Sequence, residues 1–364
     1  MRFRYIIAFL AVAPMLMALH SPANAQAADA HEFVCVDWHL AGISEYQGNW
    51  QAAIGYYRKA ITDCRVLPLE VREWYSGTAY YGIARCESRA GEDPSVVRST
   101  LASAFGHQFW NFALAQTDSI MFSKCGFPWL DSCSRFWSHV LTEERPLWRD
   151  QAPIVFYPAG YDSSDHWPLI VALHGGNGNY QGFAEHWLGM ANELKAIIAI
   201  PAGVLRQSQI TNSWGSNIDT VEKSVVELAA SFTSKHLADP SQVYLAGFSQ
   251  GAQASIELTL LRPDVFRGAI AMSGFVDRPI SDSVLHVAKE RGVRLYEITG
   301  QFEDATFQKE IDSIHSDCLR ANIPFELEIA PGMIHEIPLD FQAQFLRAWH
   351  WVRPPMQALH QQEN

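Results

Sequence analysis

Between about residues 152 and 352 short apolar runs alternate with helical stretches, and that alternation leaves few folds open. Ile154-Val155-Phe156-Tyr157 and Leu169 to Leu173, bounded by Pro and Gly, read as strands. Ala196 to Ile200, Gln242 to Ala246, Gly268 to Met272, Val293 to Ile298 and Phe325 to Ile329 continue the series. Helical stretches fall at Val221 to His236, Ala252 to Leu261, Phe307 to Ala321 and Leu339 to Trp351. Strands and helices alternating in this way predict an α/β class with a mostly parallel sheet covered by helices on both faces.

The chain before this alternation has another grammar. From about residue 31 to 145 helical spacing dominates and β runs are few, which predicts a smaller all-α, repeat-like domain. Ala53, Tyr57 and Ala60 fall on one helix face, and their order after Gly48 resembles the second helix of a tetratricopeptide repeat. A poorer copy runs from Trp74 through Tyr81-Gly82 and Gly91 to Val97, Leu101 and Ala104. Two such units are too few for a free-standing solenoid, so the region is expected to lean on the second domain as a cap. A protein partner bound through the helices is the other use of such a surface.

Met1-Arg2-Phe3-Arg4, an apolar run from Tyr5 to Leu19 and then Ala23-Asn24-Ala25 follow the order of a signal peptide. The run is shorter than the roughly 20 residues of a membrane span and contains Pro14, so cleavage after Ala25, no stable membrane anchor and a periplasmic or secreted protein are expected. The expected organisation is a leader over 1–25, a helical region over 26–150 and a catalytic region over 151–364. The net charge of −12 becomes two units more negative without Arg2 and Arg4, which argues against nucleic acid as a partner. In an exported chain the six cysteines are candidates for disulfides, and Cys125 and Cys133, flanking a short loop, are the first pair to expect. No Cys-x-x-Cys or clustered Cys/His spacing suggests a metal.

The chemistry is concentrated around Gly247-Phe248-Ser249-Gln250-Gly251, which follows the strand Val243 to Ala246 and opens a helix. That context is the one a nucleophile elbow requires, with glycines letting strand and helix approach around a strained serine. A serine hydroxyl needs a base to take its proton and a carboxylate to orient the base. Only His286, His315, His335, His350 and His360 follow Ser249. His335 lies in a loop between the last strand and the last helix, whereas His315 and His350 fall on helices. The acid is expected after the strand Leu295 to Ile298, in Gly300-Gln301-Phe302-Glu303-Asp304, with Asp304 preferred and Glu303 its rival. His174-Gly175-Gly176-Asn177-Gly178, after the strand ending at Leu173, supplies the candidate oxyanion loop, with His174 organising the turn. One donor of this kind is worth roughly 2.7–4 kcal/mol in the barrier. The amides of Gly176 and Gln250 are the expected pair. Trp214 and Trp187 are candidates for the substrate pocket or, equally, for the core.

Gly-Phe-Ser-Gln-Gly-Ala at 247–252, Leu-His-Gly-Gly at 173–176 and Gly-Met-Ile-His-Glu at 332–336 give residues 152–352 a resemblance to the α/β-hydrolase superfamily. The nearest branches are the phospholipase/carboxylesterase and dienelactone-hydrolase-like ones. The resemblance implies cofactor-free hydrolysis of a small-molecule or lipid-like ester through an acyl-serine. It also shows a departure, because members commonly carry Gly-x-x-Asp where this chain has Glu303, with Asp304 one residue later. A serine peptidase of the prolyl-oligopeptidase type and a partner-binding protein on a hydrolase scaffold are the alternative readings.

Overall fold

The computed structural model describes residues 22–147, 150–162, 166–235 and 237–353. The expected leader lies outside the described residues as far as position 21, and 22–25 begin the first helix.

Seven helices come first: α1 (Pro22–Tyr46), α2 (Trp50–Asp63), α3 (Leu69–Ala90), α4 (Pro94–Gly106), α5 (Phe112–Thr117), α6 (Ser119–Cys125) and α7 (Phe127–Glu144). Among the first four, α1 packs on α2, α2 on α3 and α3 on α4. The face expected on α2 is the one buried, with Ala53, Tyr57 and Ala60 facing inward, and the Tyr57 ring lies against Gly82 of α3. Val97, Leu101 and Ala104 of α4 are fully buried with Phe105 and Met121.

A disulfide between Cys125 and Cys133 is not formed, and all six cysteines are free thiols. The segment expected to be a loop is the start of α7, with Pro128 in its first turn. Cys125 ends α6 and Cys133 lies within α7, so the pair does not flank a flexible loop free to draw the two thiols together. Both thiols pack into one apolar cluster instead.

The second half is a seven-stranded sheet of β1 (Ile154–Phe156), β2 (Leu169–Leu173), β3 (Ile197–Ile200), β6 (Val243–Phe248), β7 (Gly268–Met272), β8 (Arg294–Gly300) and β9 (Phe325–Ala330). Their order is β1-β3-β2-β6-β7-β8-β9; β1 runs antiparallel to β3 and every other pair is parallel. A two-stranded hairpin, β4 (Leu205–Arg206) and β5 (Asn212–Ser213), stands apart. On one face lie α10 (Ile218–Thr233), α11 (Gln250–Leu261), α12 (Asp282–Glu290) and α13 (Ala305–Arg320). The other face is covered by α8 (Tyr180–Glu185), α9 (Met190–Leu194) and α14 (Phe341–Val352).

Side chains alternate through the sheet as a doubly covered strand requires. Leu169, Val171 and Leu173 enter one core, while Ile170 and Ala172 enter the other. Because β2 continues outward to β3 while β6 returns to its opposite side, the strand order reverses between β2 and β6. Ligand crevices in open α/β sheets form at such a reversal, beyond the carboxyl ends of the strands.

Candidate active site

Both sides of that crevice carry the motifs picked out by sequence. Ser249 ends β6 and precedes α11, with φ 53° and ψ −120°. Few residues other than glycine adopt this conformation, and a nucleophile elbow stores such strain. A Cβ on Gly247 would overlap the backbone of Gly251, and one on Gly251 would overlap the Leu173 and His174 carbonyl oxygens, so both positions require glycine.

The Ser249 Oγ lies 2.9 Å from His335 Nε2, and His335 Nδ1 lies 2.9 Å from Glu303 Oε1. With Nδ1 protonated and donating to the carboxylate, Nε2 is left to accept the serine proton. The imidazole is flanked by Phe248 and Phe307, whose ring centroids are each 5.3 Å away. The Glu303 side chain is 1% exposed. Burial pushes its carboxyl up, but the hydrogen bond and charge of His335 and the Asp304 amide outweigh this and hold it below the usual glutamate range.

The preference for Asp304 is therefore corrected in favour of Glu303. Asp304 is the N-cap of α13, where its side chain accepts from the Thr306 amide at 2.8 Å. An aspartate just ahead of a helix is a strong capping residue, which accounts for its presence. Position in the loop, Gly-x-x-acid, is the signal that points to Glu303.

His174 is fully buried and serves as a brace. Its Nε2 accepts from the Gly203 amide at 2.9 Å while Nδ1 donates to the Gly175 carbonyl at 2.7 Å. Burial lowers its pKa to about 4, so it stays neutral. In the loop it braces, the Asn177 amide donates to Ser213 Oγ and the Gly178 amide to the Gly175 and Asn212 carbonyls. The Gly176 amide has no acceptor among the described residues, and Gly176 lies against the Gln250 side chain. Gln250, first residue of α11, likewise has no intrahelical partner for its amide. The two expected donors are thus both free and adjacent.

Trp214 packs in the core and also borders a second cavity of about 220 Å³ beside Gln250. It is 1% exposed and its indole donates to the His174 carbonyl at 2.7 Å, which ties β5 to the oxyanion loop. Trp187 is also core, packed edge-on against Phe341 and Phe345.

The residues that do line the cleft come largely from the helical half, which sequence reasoning had left unread. A cavity of about 730 Å³ is bounded by His335, Glu303, Phe302 and Gly176 on one side. Trp38, Tyr46, Tyr57, Trp74, Tyr81 and Phe109 bound it on the other. Its one cation, Arg85, is held by both Glu45 oxygens at 2.7 and 2.6 Å. The two halves are joined beside His335, where His39 Nδ1 meets Glu336 Oε1 at 2.6 Å and the Tyr46 ring packs on Phe302. The Glu336 hydrogen bond raises the pKa of His39, against the opposing effect of burial.

Residues 201–350 match the phospholipase/carboxylesterase family. Poly(3-hydroxyalkanoate) depolymerase C of Paucimonas lemoignei is 29% identical over 119 residues, a match that spans 29% of this chain and 28% of that protein. Among solved structures, esterase PE8 aligns at 16% identity and a TM-score of 0.48 over 56% of this chain and 100% of its own. A Bacillus cereus carboxylesterase aligns at 14% identity and 0.44 over 58% and 99%. The sheet order and the strained serine turn give the chain from Ile154 onward the α/β-hydrolase fold, preceded by a helical region, and residues 201–350 within it are similar to the phospholipase/carboxylesterase family.

Proposed function

We propose that this protein is a serine ester hydrolase whose helical region roofs the reacting serine and selects esters with a bulky apolar limb. The observation that carries the reading is the chain of two 2.9 Å hydrogen bonds from Ser249 through His335 to buried Glu303. His335 Nε2 takes the proton as Ser249 Oγ adds to the ester carbonyl, and Glu303 stabilises the imidazolium. The amides of Gly176 and Gln250 receive the negative charge that develops on the carbonyl oxygen. The imidazolium then returns its proton to the leaving alcohol, and a water activated by the same imidazole releases the acid from Ser249.

Six aromatic side chains from the helical half bound the cleft, while Arg85 is neutralised by Glu45. Such a wall favours apolar or aromatic groups over an anionic one. The depolymerase relative is named for a polyester, and an ester is the bond in common. Here the roof over Ser249 favours a soluble ester or oligomer over the surface of a solid polymer. Export by the expected leader would place the reaction outside the cytoplasm.

Turnover of p-nitrophenyl butyrate by wild type, Glu303→Gln and Asp304→Asn tests this reading. Glu303→Gln is expected to lose roughly 10⁴-fold in kcat, since the amide cannot hold the imidazole in the same tautomer or balance its charge. Asp304→Asn is expected to stay within a few-fold of wild type, because Asn caps a helix as well as Asp. The reverse ranking, or no turnover by wild type, would overturn the assignment.

A further inference from the structure

Away from the serine, the seam between the two halves holds a group of side chains that ester hydrolysis does not use. His31 and Cys35, one helical turn apart on α1, meet His186 at the end of α8. Their ligand atoms all lie within 4.8 Å of one another. Cys35 Sγ and His31 Nε2 are 4.0 Å apart, and the two imidazole rings meet edge to face at 4.6 Å between centroids. Tyr75 Oη bonds His31 Nε2 at 2.9 Å and lies 3.9 Å from the thiol. The His186 side chain makes no hydrogen bond among the described residues, and its ring packs between His31 and Phe341. Beside the three lies a cavity of about 480 Å³, also lined by Glu32 and Glu185.

We propose that His31, Cys35 and His186 form a binding site for a divalent transition metal of the zinc type, which clamps the helical roof to the catalytic domain. Two imidazoles and one thiolate are a donor set that zinc takes, usually in tetrahedral geometry. Bonds of about 2.0–2.1 Å to nitrogen and 2.3 Å to sulfur place neighbouring donors roughly 3.3–3.7 Å apart, so the set must contract by up to about 1.5 Å. Rotation of side chains within the seam can supply that movement. The fourth position adjoins the cavity, where a water or the Glu185 carboxylate could complete the sphere.

The protonation states fit this use at a definite cost. Burial lowers the His31 pKa to about 4 and that of His186 well below its usual value, so both rings are in the neutral, ligating form. Burial also pushes the Cys35 thiol up to about 12, so binding exchanges the thiol proton for the metal and releases it to solvent. The same step trades the Tyr75 to His31 hydrogen bond for a metal–nitrogen bond. Sequence reading missed the pair because His-x-x-x-Cys on a helix supplies only two donors and its third comes from 151 residues further on.

Titration of the full chain, without a histidine tag, with Co²⁺ as spectroscopic probe tests the site. Expected are one tightly bound ion, a thiolate-to-cobalt charge-transfer band, intense tetrahedral visible bands and their displacement by Zn²⁺. Cys35→Ser should lose the charge-transfer band and His186→Ala should weaken binding at least tenfold. Zinc at 100 times its Kd should raise the unfolding midpoint of wild type but of neither variant. Wild type that takes up cobalt without a thiolate band, or no more than Cys35→Ser does, would overturn the proposal. The wild-type spectrum decides the matter even if a variant fails to fold, and no readout depends on ester turnover.

Discussion

The two halves of the molecule approach the site around Ser249 by different means. In the catalytic half, backbone meets backbone: a Cβ on Gly251 would strike the Leu173 carbonyl, and one on Gly300 the Met333 and Ile334 carbonyls. In the helical half, a Cβ on Gly42 would meet only the tip of the Ile334 side chain, and one on Gly82 the ring of Tyr57. Main chain within a sheet and its loops cannot turn aside, whereas a side chain can change rotamer. The geometry of Ser249, His335 and Glu303 is therefore fixed by the fold, while the shape of the roof can be retuned with little cost to the chemistry.

The sharpest way to break this contrast is a matched pair of glycine substitutions. Gly251→Ala should cost several kcal/mol, on the order of the largest single-residue effects, because helix α11 must move off β2 and carry the elbow with it. Denaturant unfolding should show the lowered midpoint, and turnover should fall with it. Gly42→Ala should cost about 1 kcal/mol or less and leave kcat for an acetyl ester unchanged, while KM for a bulky acyl ester shifts several-fold. Equal losses of acetyl-ester turnover in the two variants would mean that roof and chemistry are not separable.

Buried charge, with a smaller expected effect, cuts across the halves, because Glu257 of the catalytic half is paired with Arg278 while each half also holds a buried acid with an unpartnered oxygen. In the helical half buried Asp37 is paired with Lys59, whereas buried Glu87 keeps one carboxylate oxygen without a hydrogen-bond partner among the described residues. In the catalytic half Glu297 is fully buried on β8 with only the Gly274 amide, at 2.7 Å, as its partner. Burial raises its pKa to about 8; the Gly274 amide opposes the shift and the nearby Glu303 charge adds to it. The folded state thus holds a proton that the unfolded chain releases near its ordinary glutamate pKa. Stability present below that value is lost progressively as pH rises toward 8. Thermal unfolding of wild type should fall over that window and Glu297→Gln should fall less steeply. Identical pH slopes would place the ionised carboxylate in the folded state.

Most of the catalytic half could be read from its residues, because strand and helix periodicities are local and the serine motif demands a strand before it and a helix after it. Leu169–Leu173 and Gly268–Met272 are strands at the expected bounds. The helix Asp282–Glu290 went unread, since its nine residues carry only two buried positions, Leu285 and Ala288. The order of Ser249 and His335 along the chain was also legible, but the choice between Glu303 and Asp304 turned on one residue of register in a loop. Register there is set by where α13 is capped, a tertiary fact. The roof was illegible for a related reason: Tyr57 and Tyr81 read as core spacing within helices, and only the docking of the two halves sets them around one cavity with His335.

The central claim is that Ser249, activated by His335, is the nucleophile of a roofed esterase. Intact-mass and peptide analysis after treatment with a fluorophosphonate tests it most directly. Wild type should gain one phosphonyl adduct, mapped to Ser249, and Ser249→Ala should gain none under the same conditions. An adduct that persists in Ser249→Ala at the wild-type rate, or a folded wild type that never reacts, would contradict the account.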